Sequence, residues 1–238
     1  MNKYEKISIE VRNRIKSGYY PQEHPIPDEH SLAKEFNCSR MTIKRALDVL
    51  VMEGLLFRKR GHGTFIIQTT VKDTELNVMG AESLGFSRLV TNQEVKSKII
   101  AFDIEFPSDE VANQLVIEKN EPVYHIIRLR IVNDEPFVIE ETYMPSKLIP
   151  DITEEVLHKS VYRHIQDTLD LKIGVAHRKI RACKSNEFDQ KYLDCKSDDP
   201  VLEVEQVGYL NTGIPFEYSF SRHRYDKFVF TTVTVSKQ

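Results

Sequence analysis

The chain has 238 residues with 40% hydrophobic content, enough for a sizeable core in one large domain or two small ones. No apolar run is long enough to span a bilayer and "MNKYEKISIEVRNRIK" lacks a signal-peptide core, so a cytoplasmic protein without a membrane partner is expected. The net charge of −3 conceals an asymmetry: up to residue 68 there are twelve Lys and Arg against eight Asp and Glu, and beyond it twenty-one against twenty-eight, so only the first segment suits a polyanion.

Ile7, Val11 and Ile15 recur at helical spacing up to Gly18, which predicts a first helix. After "YYPQEHPIP", Asp28 can cap a short second helix that buries Leu32 and Phe36. Ser39 can cap a third, with Ile43, Ala46, Leu47 and Leu50 inward, Gly54 at its end, and Arg40, Met41, Lys44, Arg45 and Asp48 outward. Two helices joined by the tight "NCS", the second with cations on its free face, suit insertion into a DNA major groove. "GLLFRKRGHGTFII" then reads as a strand, a turn through Gly61 and Gly63, and a returning strand, together a wing. Its Arg58, Lys59 and Arg60 can neutralise phosphates, while His62 at the tip can approach the minor groove. A nucleotide-cradling loop would need a helix after the glycines, and β-branched and aromatic residues follow instead.

The order helix, helix, "SRMTIKRAL", "EGLLFRKRGHGTFI" resembles the winged helix-turn-helix of the GntR family of bacterial transcription regulators over residues 3 to 67. The resemblance implies operator contacts from Arg40, Thr42, Lys44, Gly61, His62 and Gly63. The chain departs from it at the start of the second helix, where Pro27-Asp28-Glu29-His30 replaces the usual Pro-Ser-Glu-Arg.

Residues 68 to 77, "QTTVKDTELN", show no apolar period and read as a linker between a DNA-binding domain (1–67) and a second domain (78–238). That second domain contains a repeat: 108 to 137 and 185 to 216 share a Ser cap, Glu, Leu, Pro-Val, a turn Asn and Pro-Phe. Each unit reads helix, strand, turn, strand, led by another strand ("KSKIIAFDIEF" and "AHRKIRACK"). The expected fold is α+β, one antiparallel sheet with helices covering one side. In "VYHIIRLRIV", Arg128 and Arg130 share a face about 6.5 Å apart. A turn at 133 to 135 pairs 128 with 140 and brings Glu140 to the same face. A single Arg and Glu would suggest a salt bridge; two arginines against one Glu suit a dianionic group. Helix starts at Ser160 in "KSVYRHI" and near Ser87 in "GFSRL" offer further anion donors.

This region resembles the UTRA effector domain of the HutC subfamily of GntR regulators over residues 77 to 235. The resemblance implies a chorismate-lyase-like fold that binds phosphate through Arg128, Arg130, Ser160, Tyr162, Phe86 and Ser87. It implies sugar contacts from Glu140, Glu217 and, in place of a usual Tyr, His223. It also implies homodimers on palindromic double-stranded DNA, the exposed "FVFTTVTV" being a candidate pairing strand. Within the subfamily the likeness is to repressors of glucomannan use, which implies a phosphorylated β-linked disaccharide as effector. A chorismate-lyase-like enzyme is the alternative, but no catalytic constellation is found. "AESLG" has Ala81 where a nucleophile elbow needs Gly, and His158 and His164 fall on different sides of a helix. Cys38, Cys183 and Cys195 lack paired spacing, so neither metal nor cofactor is expected.

Overall fold

The computed structural model describes residues 2–21, 23–67 and 94–229. The expected linker and the "GFSRL" and "AESLG" segments lie outside these residues, as does most of "FVFTTVTV". The chain divides into two compact units.

The first unit holds α1 (Lys3–Lys16), α2 (Glu29–Glu35), α3 (Arg40–Met52) and a hairpin of β1 (Leu56–Lys59) and β2 (Gly63–Ile66). Its helices start where their cap residues stand: Asp28 accepts from Ser31 N at 2.7 Å and Ser39 from Thr42 N at 3.2 Å. Gly18 and Gly54, both at positive φ, follow the helix ends. Ile7, Val11, Leu32, Ile43, Ala46, Leu47, Leu50, Leu56 and Ile66 meet in one core, with Ile15 and Phe36 at its margin. Truncating Leu47 to Ala would cost about 2–5 kcal/mol. The segment before α2 does more than connect: Ile26 N donates to Thr64 O at 2.8 Å, extending the hairpin. Pro25 fills the space beside Gly63, where an added Cβ would lie 3.0 Å from Pro25 Cβ, so φ +112 and close packing both require glycine there.

The second unit follows the repeat. One copy is β3 (Val95–Glu105), α4 (Asp109–Leu115), β4 (Val123–Val132) and β5 (Glu135–Pro145); the other is β6 (Ile173–Lys184), α7 (Glu187–Tyr192), β7 (Pro200–Leu210) and β8 (Pro215–Arg224). They form one antiparallel sheet in the order β3-β4-β5-β8-β7-β6, so the copies meet at β5 and β8 about an approximate two-fold. Between them lie α5 (Glu154–His158), α6 (Val161–Arg163) and a π-helical turn (His164–Thr168).

The expectation of helices on one side is corrected. The repeat helices pack on one face, α4 with Val207 and Tyr218 and α7 with Leu129 and Ile139. The inter-repeat segment covers the other, where Leu157, Val161 and Ile165 pack with Ile126. Both faces carry apolar residues that must be buried, and the repeat helices cover only one. The β4–β5 turn also differs from expectation. It spans Asn133 and Asp134 alone, at φ 51 and 64, and Val132 faces Glu135. A bulge between Arg130 and Ile131 then shifts the ladder, and Arg128 still faces Glu140.

Candidate functional site

Two groups of polar side chains stand apart from the cores, one in each unit. In the first unit, Arg40 and Lys44 are exposed on α3. Arg40 Nε donates to Glu29 Oε2 at 3.0 Å, and the Thr42 hydroxyl lies 2.8 Å from Ser39 Oγ. Arg45 turns towards α1, its guanidinium 4.1 Å from the Tyr4 ring centroid. Tyr4, Met41, Thr42, Lys44, Arg45 and Asp48 line an open concavity of about 470 Å³. On the hairpin, Lys59, Arg60, Gly61, His62 and Gly63 are exposed, and His62 N donates to Lys59 O at 2.9 Å to close the turn. Arg58 points back to α3, paired with Asp48 and 3.9 Å from Glu29. The wing tip therefore presents Lys59 and Arg60 outward, whereas Arg58 ties strand to helix.

The second group follows from strand alternation: residues facing each other across neighbouring strands share a side. Ser97, Arg130, Val138 and His223 form one such row, and Arg128, Glu140, Ser221 and Val204 the next. Thr142, Ser219, Gln206 and Arg178 continue the same face. Arg128 donates through Nη2 to Glu140 Oε2 at 2.8 Å and through Nη1 to the Leu157 carbonyl at 3.0 Å. Arg130, 3% exposed, lies 4.0 Å from the same carboxylate oxygen. Burial pushes the Arg130 guanidinium below its ordinary value; Glu140 opposes that shift and Arg128 adds to it.

Further along the face, Glu217 Oε1 accepts from Ser219 Oγ at 2.6 Å and Gln206 Nε2 at 3.0 Å. Gln206 also donates to the Tyr162 hydroxyl at 3.2 Å and accepts from Arg178 Nε at 2.6 Å. Burial raises the Glu217 carboxyl and, with Glu217 beside it, the Tyr162 phenol. His223 stacks on Phe228 at 3.9 Å between centroids, and burial pushes its imidazole down to about 3, so it is neutral at pH 7.

Ser97 Oγ, Arg128 Nε, Glu217 Oε2 and His223 Nδ1 are buried without a hydrogen-bond partner among the described residues. Such atoms cost stability, and all four belong to this one face. The opposite face instead satisfies its charges, with Arg222 forked onto the fully buried Asp189 at 2.9 and 2.7 Å.

Of the residues expected at an effector site, Arg128, Arg130 and Glu140 come together, and Glu217 and His223 share their face. Tyr162 joins the Glu217 group through Gln206. Ser160 caps α6, accepting from Arg163 N at 3.3 Å, and that helix spans only three residues before the π turn. Phe86 and Ser87 lie outside the described residues. Ser97, Thr142, Gln206 and Ser219 were not singled out by sequence. The repeat held the signal for one of them, since laying "PVYHIIRLR" over "PVLEVEQVG" puts Gln206 under Arg128 and Gly208 under Arg130. Among the described residues no helix is long and apolar enough to cross a membrane.

Comparison with known proteins follows the two units. Residues 3–66 match the model for bacterial regulatory proteins of the gntR family, and residues 91–229 match that of the UTRA domain. The chain is 61% identical over 237 residues to the HTH-type transcriptional regulator GmuR of Bacillus subtilis, covering 100% of both. It is similar to the crystal structure of the possible transcriptional regulator YydK of Bacillus subtilis, with TM-score 0.81, 28% identity and coverage of 99% of this chain and 100% of that one. The effector-binding domain of the Bacillus subtilis trehalose repressor aligns with TM-score 0.54 at 29% identity, over 60% of this chain and 99% of that one.

Proposed function

Because the chain belongs to the GntR family of bacterial regulatory proteins and carries a UTRA domain, we propose that it represses a carbohydrate-utilisation operon and is released by a phosphorylated sugar. Membership makes it a DNA-binding transcription regulator with an effector-binding domain and not an enzyme. In the proposed mechanism Arg40, Thr42 and Lys44 enter the major groove, Lys59 and Arg60 neutralise phosphates, and Gly61 to Gly63 bring His62 to the minor groove. A homodimer would present two such units to a palindromic operator.

The observation that carries the effector reading is the gathering of Arg128, Arg130 and Glu140 on a buried face where Ser97 Oγ, Glu217 Oε2 and His223 Nδ1 have no hydrogen-bond partner among the described residues. Two guanidinium groups match a dianionic phosphate, and Glu217, Gln206 and Tyr162 further along match sugar hydroxyls. The trehalose repressor relative supports a sugar as the class of effector, and the resemblance to repressors of glucomannan use favours a phosphorylated β-linked disaccharide. For the ligand to release DNA it must bind the released arrangement more tightly than the DNA-bound one.

Thermal shift tests the effector reading, with cellobiose 6′-phosphate and glucose 6-phosphate measured against cellobiose and glucose. The phosphorylated sugars should raise the melting temperature and the neutral ones leave it unchanged. Equal shifts from both would remove the phosphate reading. Light scattering of the purified chain tests the dimer, and a monomeric mass at micromolar concentration would remove it.

A further inference from the structure

We propose that Glu29 is a positioning residue for DNA recognition, its carboxylate, with Arg58 of the wing beside it, aiming Arg40 of α3. The inference rests on the reading that α3 and the wing meet DNA, and it concerns a residue of α2. Glu29 is the first residue of that helix, fixed in place by the Asp28 cap on one side and by Leu32 in the core on the other. Its Oε2 accepts from Arg40 Nε at 3.0 Å, and its Oε1 lies 3.9 Å from Arg58 Nη2. Arg58 is held from the far side by Asp48, so a chain of four charges runs from α3 through α2 and β1 back to α3.

An exposed ion pair contributes little to stability, and Arg40 is 73% exposed whereas Glu29 is 23% exposed. A carboxylate beside the groove-facing cations also repels the phosphate backbone. Stability therefore does not account for this placement, and affinity for DNA as a polyanion argues against it. Orientation does account for it. The bond takes Nε of Arg40 and, among the described residues, leaves both Nη groups at the tip of the fork for a base or phosphate. Fixing a long side chain before association removes part of the ordering cost that recognition would otherwise carry.

Charge and orientation predict opposite signs, which makes the experiment decisive. Two duplexes serve as probes: one enriched from a randomised library by repeated retention on the wild-type protein, the other of mixed sequence without the enriched site. Fluorescence anisotropy at several salt concentrations gives both affinities. Glu29→Gln should bind the mixed duplex about two- to fivefold more tightly, through lost repulsion. It should bind the enriched duplex about tenfold more weakly, so that the ratio of the two collapses. Adding Glu29→Gln to Arg40→Ala should cost the enriched duplex nothing further, because the residue being aimed is gone.

If Glu29→Gln tightens both duplexes alike while Arg40→Ala lowers the ratio, the positioning role is overturned and the DNA-contact reading stands. If Arg40→Ala leaves the enriched duplex bound as in the wild type, the contact reading falls and the role of Glu29 with it. Should Glu29→Gln melt earlier than the wild type, Glu29→Asp replaces it, keeping the charge and shortening the reach. The same fall in ratio is expected, and an unchanged ratio overturns the proposal.

Discussion

Arg128 faces Glu140 across the β4–β5 hairpin, and at the corresponding place in the second repeat Gln206 faces Ser219. The backbones agree closely. Each hairpin carries one bulge near its turn, which sets Phe137 apart in the first copy and Phe216 in the second. The chemistry diverges. The first copy has two guanidinium groups around a carboxylate, and the second has an amide and a hydroxyl around the buried Glu217, where the first copy has Val138. The Arg130 position becomes Gly208, where the Phe216 ring fills the side-chain space: a Cβ there would lie 3.1 and 3.2 Å from two of its ring atoms. A two-fold scaffold with an arginine pair in one half and an amide and a hydroxyl around Glu217 in the other suits a ligand whose two ends differ. The strand framework supplies the placement and a few side chains supply the polarity.

Breaking the arginine pair should have the largest effect. Arg130→Ala leaves Arg128 on Glu140, so the fold should survive and the operator should still bind, while affinity for a phosphorylated sugar falls about 100-fold, or roughly 3 kcal/mol. Titration calorimetry with glucose 6-phosphate measures it, and wild-type affinity would remove Arg130 from the site. Making the halves more alike from the other side should fail sterically. Gly208→Ala presses on a fully buried Phe216 and should cost about 1–3 kcal/mol in urea unfolding. An unchanged midpoint would mean that the ring can retreat.

A smaller effect separates the halves by pH. The unfolded chain protonates His223 near 6.5 and the folded chain only near 3. Protonation therefore favours unfolding throughout that window, and stability falls as pH drops. Between pH 7 and pH 5 this contributes about 2 kcal/mol. His223→Gln should lose that part of the slope in paired urea titrations, and an identical slope would place a proton on the folded imidazole. Smallest of all, Gln206→Ala removes one donor from Glu217 and one from Tyr162, at about 1 kcal/mol in thermal unfolding. It should leave inorganic phosphate binding unchanged, since the amide belongs to the half without the arginine pair, and weakened phosphate binding would merge the two halves into one.

Much of this was legible because it is local. Asp28 and Ser39 cap helices through the next few residues, Gly18 and Gly54 end them, and alternation along "VYHIIRLRIV" puts both arginines on one face whatever lies around it. The Arg128–Glu140 pair was reached from a turn one residue too long, the bulge at Phe137 supplying the missing residue, so the register survived while its cause did not. Other features depend on contacts between residues far apart in sequence and form only when the core assembles. Arg45 lies over Tyr4, Pro25 fills the space at Gly63, and Tyr162 reaches Gln206. The pairing of β5 with β8, and the layer that brings the Leu157 carbonyl to Arg128, are of the same kind. Capping and strand alternation are satisfied within a few residues and so are written into short stretches of sequence. Which apolar face meets which, and which polar side chains are thereby buried on the face of Arg128, follows from burying all the apolar faces at once, and the tertiary structure alone decided it.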